Sequence, residues 1–133
     1  YLKHLLEEQD HAKWLEADLD RLGVERVFDY RAAMLAGTQY YLIYHRDPAL
    51  LLGYMRALES WPKPLDVIAK IEAKYGQLRC LHYHAEHDPA HTDELDKIIA
   101  ALPDALRAEV EENEAQVRSM VLCIAQTFDQ EEL

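Results

Sequence analysis

Residues 82–91 read His82-Tyr83-His84-Ala85-Glu86-His87-Asp88-Pro89-Ala90-His91, four histidines in ten positions of a chain that has seven. On a helix turning about 100° per residue, His84, Asp88 and His91 fall at about 0°, 40° and −20°, so two imidazoles and a carboxylate project from one face. That is how a helix presents metal ligands; the ordinary alternative is a solvated polar face. Pro89 sits inside the segment, where it removes one backbone hydrogen bond and is expected to kink or loosen the helix between Asp88 and His91.

Outward from this stretch, the punctuation is sparse. Only 4 Gly and 5 Pro occur, with neither alternating apolar/polar runs nor Asn-Gly hairpin signals, so the class is all-α. A first helix is expected over residues 1–22, with Leu5, Ala12, Leu15, Leu19 and Leu22 as its apolar seam and Gly23 at its end. Asp29 caps a second helix through about His45, and Asp47-Pro48 opens a third that reaches Trp61 and stops at Pro62 and Pro64. A short fourth runs from Pro64 to Tyr75 before Gly76, and a fifth from near Gln77 toward Leu102. Asp104 starts a last helix with the stripe Leu106, Val110, Val117, Met120, Val121, Ile124 and Phe128, ending in the acidic tail 129–132. The expectation is a bundle of five or six helices forming a single domain, 1–133.

The chain has 133 residues, with 14 Lys+Arg against 25 Asp+Glu and a formal net charge of −11. Phosphate backbones demand a basic face, and no Lys or Arg cluster exists, so nucleic acid is not an expected partner. No apolar run, Ala49 to Leu52 included, approaches the ~20 residues of a membrane span, and no secretory leader pattern opens the chain. Two cysteines, Cys80 and Cys123, are too few for a disulfide scaffold and read as reduced. A soluble, cytoplasmic protein is expected.

Acids and a histidine also interrupt apolar stripes elsewhere. Glu8 falls in the first helix's seam with His11 at i+3, and Glu59 continues the line Leu52, Met55 in the third helix. A carboxylate at a core position has to be paired, protonated or metal-bound; for Glu59, near a helix end, simple exposure is the alternative. Together Glu8, His11, Glu59, His84, Asp88 and His91 supply three carboxylates and three imidazoles, the donor mix with which helix bundles hold two iron or manganese ions.

The segment Glu7-Glu8-Gln9-Asp10-His11 with Asp18-Leu19 and Leu22-Gly23, the stretch Leu52-Gly53-Tyr54 to Leu58-Glu59, and the string His84 to His91 resemble the heme-oxygenase-like diiron oxidases, often labelled iron-containing redox enzymes. The resemblance covers nearly the whole chain. It implies a heme-oxygenase-like helical bundle, Glu8, His11, Glu59, His84, Asp88 and His91 as the metal ligands, and two irons, or manganese in their place, with O2 as co-substrate. It also implies oxidation of a small organic molecule: N-oxygenation, desaturation or oxidative C–C cleavage of an amino-acid-like or fatty-acid-like substrate. The family fold has about seven helices, and this chain starts without Met and already in helical rhythm, so one or more N-terminal helices of that fold are expected to be missing.

Glu7, at i, i+4 to His11, is a rival to Glu8. His87 lies about 60° off the face of His84 and, with His4, is a candidate for supporting the ligands rather than binding metal. Tyr40, Tyr41 and Tyr44 cluster in the second helix, where Tyr40 and Tyr44 read as a pocket wall or as half-buried packing. Tyr83 is expected to face away from the ligands. Cys80, one turn before His84, reads as a small buried hydrophobe, with a Cys-x3-His zinc pair as the alternative. Electrons would come from the substrate or an external donor, and a homodimer is compatible with the chain. The rival functions are a metal-free helical interaction module and a cofactorless thiaminase-like or quinone-synthase-like member of the same fold.

Overall fold

A computed structural model describes residues 6, 8–61 and 63–128, and among them the regular structure is entirely helical. The elements are α1 (His11–Leu22), α2 (Tyr30–His45), a 3-10 turn (Pro48–Leu50), α3 (Leu51–Glu59), α4 (Leu65–Tyr75), α5 (Arg79–Ala100) and α6 (Asp104–Phe128). No described helix is long and apolar enough to cross a membrane. The chain forms two compact units, each from two separate stretches: 1–27 with 61–91, and 28–60 with 92–133.

In the second unit, start signals act as the residue types dictate. Asp29 has extended backbone and accepts from the N–H groups of Arg31 (2.7 Å) and Ala32 (3.4 Å), so α2 opens where expected. Asp47 likewise accepts from the Ala49 N–H at 2.8 Å, with Pro48 following at the first helical position. What it opens is a 3-10 turn, and α3 proper ends at Glu59, not Trp61. The core joins Leu50, Leu52, Met55, Leu95, Ile99 and Val110.

α3 packs on α6 backbone to backbone. A Cβ at Gly53 would lie 2.3 Å from the Val110 carbonyl oxygen and 2.9 Å from the Glu114 nitrogen, so no other residue fits there without parting the helices. Polar residues at core positions of α6 are matched from neighbouring helices. The Asn113 amide donates to Gln39 Oε1 at 2.9 Å and to the Leu50 carbonyl at 2.8 Å, and both amides are buried. Glu114, 7% exposed, accepts from Arg56 and from Arg118, and Arg56 also reaches Asp96.

In the first unit, α1 ends in a left-handed turn at Gly23 (φ 67°), with the Val24 N–H bonded to the Leu19 carbonyl. α4 ends at Gly76, also at positive φ (81°). Arg21 spans this turn, donating to the carbonyls of Tyr75 (2.7 Å) and Gln77 (2.6 Å). The expected seam of α1 needs correction. Ala12 and Leu15 are exposed, whereas His11 and Asp18, two turns apart on one face, are buried. Nor is residues 1–22 one helix: Leu6 and Glu8 are helical, but a turn at Gln9-Asp10 precedes α1. His4, Leu5, Glu7, Pro62 and the tail 129–133 lie outside the described residues.

Gly53→Ala is expected to lower unfolding stability by about 1–3 kcal/mol through forced separation of α3 and α6. Urea denaturation measures it; an unchanged midpoint would show that the approach is not as close as the geometry requires.

Candidate metal centre

The ligand-bearing half of α5 is held at its start by two carboxylates. Glu72 of α4 accepts from the Leu78 N–H at 3.0 Å, and the buried Asp18 of α1 accepts from the Cys80 N–H at 3.1 Å. The opening N–H groups of a helix have no partner within it and carry positive partial charge, so they suit carboxylates. The Leu78 bond is the main cause that lowers the Glu72 pKa, and His82, 3.2 Å from the same carboxylate, is raised by that contact. This pinning sets the register of α5 against α1, and hence His84 against His11.

Five of the expected ligands lie in this unit and converge. One donor atom each of Glu8, His11 and His84 lie within 4.8 Å of one another, and Glu8 and His91 offer atoms within the same distance. Asp88 joins through its Oδ1, 2.8 Å from His84 Nδ1. His11 Nδ1 in turn lies 2.7 Å from Glu8 Oε2. Each imidazole thus spends one ring nitrogen on a carboxylate, as metal-ligating histidines do, and in His11 this leaves Nε2 as the nitrogen to coordinate. Among the described residues, His11 Nε2 and Glu8 Oε1 are buried without a hydrogen-bond partner. Buried polar atoms left in this state are costly, and a cation is one group that satisfies them.

Glu59, in the other unit, is the last residue of α3 and only 6% exposed, so simple exposure of this acid is set aside. Pro89 lies within α5, which continues unbroken through it.

The surroundings are aromatic. The His11 ring stands 4.7 Å from Trp14, 4.8 Å from Tyr83 and 4.7 Å from His84 between centroids. Tyr83 therefore does not face away from the ligands: α1 lies alongside α5 and brings His11 and Trp14 against its ring. His87 stacks on Tyr83 at 4.0 Å, and its Nδ1 donates to the Tyr83 carbonyl, consistent with a supporting position. Arg79 covers the outer side of the Trp14 ring at 3.8 Å. Asp18, Glu72 and Trp14 escaped the sequence reading; the available signal was the seven-residue spacing from His11 to Asp18, which keeps one face. Cys80 is buried with a free thiol beside His84, and Cys123 is free and exposed.

Tyr40 and Tyr44 are not half-buried. Both stand on the outer side of α2, 66% and 79% exposed, because Gln39, not an aromatic, turns inward. Tyr40 does edge an open cavity of about 290 Å³, with Ala36, Gln39, Ile43, Leu51 and Tyr54. His45 ends α2 with its ring against Tyr41.

Compared with protein-family models, curated proteins and solved structures, the chain has no match.

The His84 pKa is raised to about 10, first by its bond to Asp88 and then by the Cys80 thiol. The metal-free ring therefore carries a proton at neutral pH, and a cation taking its nitrogen must displace it. Affinity for Co(II) is expected to rise about tenfold per pH unit between pH 6 and 9, with one proton released. Asp88→Asn should lower that pKa and flatten the slope. Calorimetry in buffers of different ionisation enthalpy reads the proton; none released by the wild type at pH 7 contradicts the pairing.

Proposed function

We propose that this protein is a non-heme diiron oxidase of the heme-oxygenase-like kind, using O2 to oxidise a small organic molecule. The observation that carries the reading is that Glu8 Oε1 and His11 Nε2 are buried and, among the described residues, unpartnered, in residues that group with His84. An apolar interaction surface has no use for such a pair, whereas a cation satisfies both at once. The donors are oxygen and nitrogen, which suits iron or manganese.

Glu8, His11, His84, Asp88 and His91 would hold the metal. When bound, two irons supply the one-electron steps that reaction with O2 demands. The chain's own contribution is orientation: Glu8 and Asp88 each fix the tautomer and tilt of an imidazole. Trp14 and Tyr83 set their rings against that of His11, and Arg79 in turn lies over Trp14. N-oxygenation, desaturation and oxidative C–C cleavage of an amino-acid-like or fatty-acid-like substrate are the reactions we assign to it, in a cytoplasmic setting, with electrons drawn from the substrate or an external donor.

Anaerobic titration with Fe(II) is expected to saturate at about two per chain. His84→Ala and His91→Ala should each cut the uptake by at least half, with the helical circular dichroism retained. Saturation at one, insensitive to His91→Ala, would assign instead a mononuclear centre of Glu8, His11 and His84, the two-histidine, one-carboxylate set of many iron oxygenases. Absence of uptake would overturn the metal reading altogether.

A further inference from the structure

α2 is built inside out. Between Tyr30 and His45 it carries one formally charged residue, Arg31, in a chain that is 29% charged. Its inward side buries an amide, Gln39. Its outward side, within about 60° of Gly37 at 100° per residue, comprises Tyr30, Ala33, Met34, Gly37, Tyr40, Tyr41 and Tyr44, and every one is exposed. A surface helix normally shows solvent its charged face. Tyrosine and methionine without charge are the composition of an interface core.

Gly37 is the telling residue. Its φ is not positive, and a Cβ there would meet nothing within 4 Å. The fold of the chain itself gives no reason for a glycine that weakens the middle of a helix relative to alanine. Close approach of another backbone does.

The pattern also names that backbone. About Gly37 the face is symmetric in position: Tyr30 and Tyr44 lie seven residues away on either side, Ala33 and Tyr41 four, Met34 and Tyr40 three. A two-fold axis through Gly37 sets two copies of α2 antiparallel, pairing Tyr30 with Tyr44 of the second copy, Met34 with Tyr40, and Ala33 with Tyr41. The last two pairs place a small or flexible side chain opposite a ring. At the rim the axis brings Asp29, at one helix's start, opposite His45 at the other's end, and it sets the two helix dipoles antiparallel. With exposures of 59–79%, the four tyrosines and Met34 present on the order of 700 Å², close to the roughly 800 Å² each partner gives a standard specific interface.

We propose that the outer face of α2 is the interface of a homodimer, two α2 helices crossing antiparallel at Gly37. The proposal is independent of the metal reading, since none of these residues is a proposed ligand.

Sedimentation equilibrium of the whole chain is expected to show a monomer–dimer equilibrium. Gly37→Ala separates an interface from a bare surface. On a bare surface it only strengthens the helix and raises the thermal midpoint. At the interface it also weakens dimerisation by tenfold or more, and Tyr41→Glu gives a monomer with unchanged circular dichroism. In a Cys123→Ser background, Gly37→Cys should crosslink to itself on mild oxidation, whereas Tyr30→Cys should link efficiently only when mixed with Tyr44→Cys. A wild-type monomer at every concentration overturns the proposal, and so does a dimer indifferent to both Gly37→Ala and Tyr41→Glu.

Discussion

A carboxylate that leaves water must find a donor or a cation, and the arrangement of this chain follows from how its buried acids meet that demand. Asp18 takes a backbone N–H at the start of α5, Glu114 takes two guanidinium groups, and Asp88 takes an imidazole. The first bond has the longest reach. By fixing α5 at Cys80 it sets which turn of that helix stands beside His11, and one turn further along is His84. Glu8 meets the demand with only one of its oxygens. Among the described residues its other oxygen has no partner, and that is the observation on which the metal proposal rests.

The elements that were legible from sequence are those defined by local chemistry. Asp29 and Asp47 cap through their own side chains within three residues, and Gly23 and Gly76 supply positive φ at helix ends. The His84-x3-Asp88-x2-His91 spacing needed only the pitch of a helix, although how that helix is anchored did not show in it. What stayed hidden depends on partners far along the chain. Asn113 and Gln39 are 74 residues apart, and each alone reads as an ordinary surface amide until the other is placed beside it. The seam of α1 was misread for a related reason. Leucines were assigned inward by default, while the face that turns in carries His11 and Asp18, whose burial is sustained by groups on other helices.

The two polar faces that turn inward have different logics. In α2 the inward amide is answered by Asn113 while Leu42 packs against the core, and the aromatic side is left outward. In α1 the inward imidazole is answered on one nitrogen only. A satisfied buried pair specifies how helices pack; a half-satisfied one leaves a buried group open to a ligand. The distinction rests on a count of donors and acceptors, and hydrophobicity alone is blind to it.

Pro89 acquires a meaning in the same terms. Its missing N–H leaves the Ala85 carbonyl without the bond that would tie one turn of α5 to the next. The His84–Asp88 contact spans that same turn, from one residue before Ala85 to one before Pro89. A side-chain bond therefore stands beside the absent backbone bond, and both of its members are proposed ligands. With the His84–Asp88 contact intact the turn is clamped; without it, the turn from Ala85 to Pro89 has neither bond. Ligand geometry and helix integrity are thus coupled through one imidazole, which is why a turn weakened by proline is not merely a defect at this position.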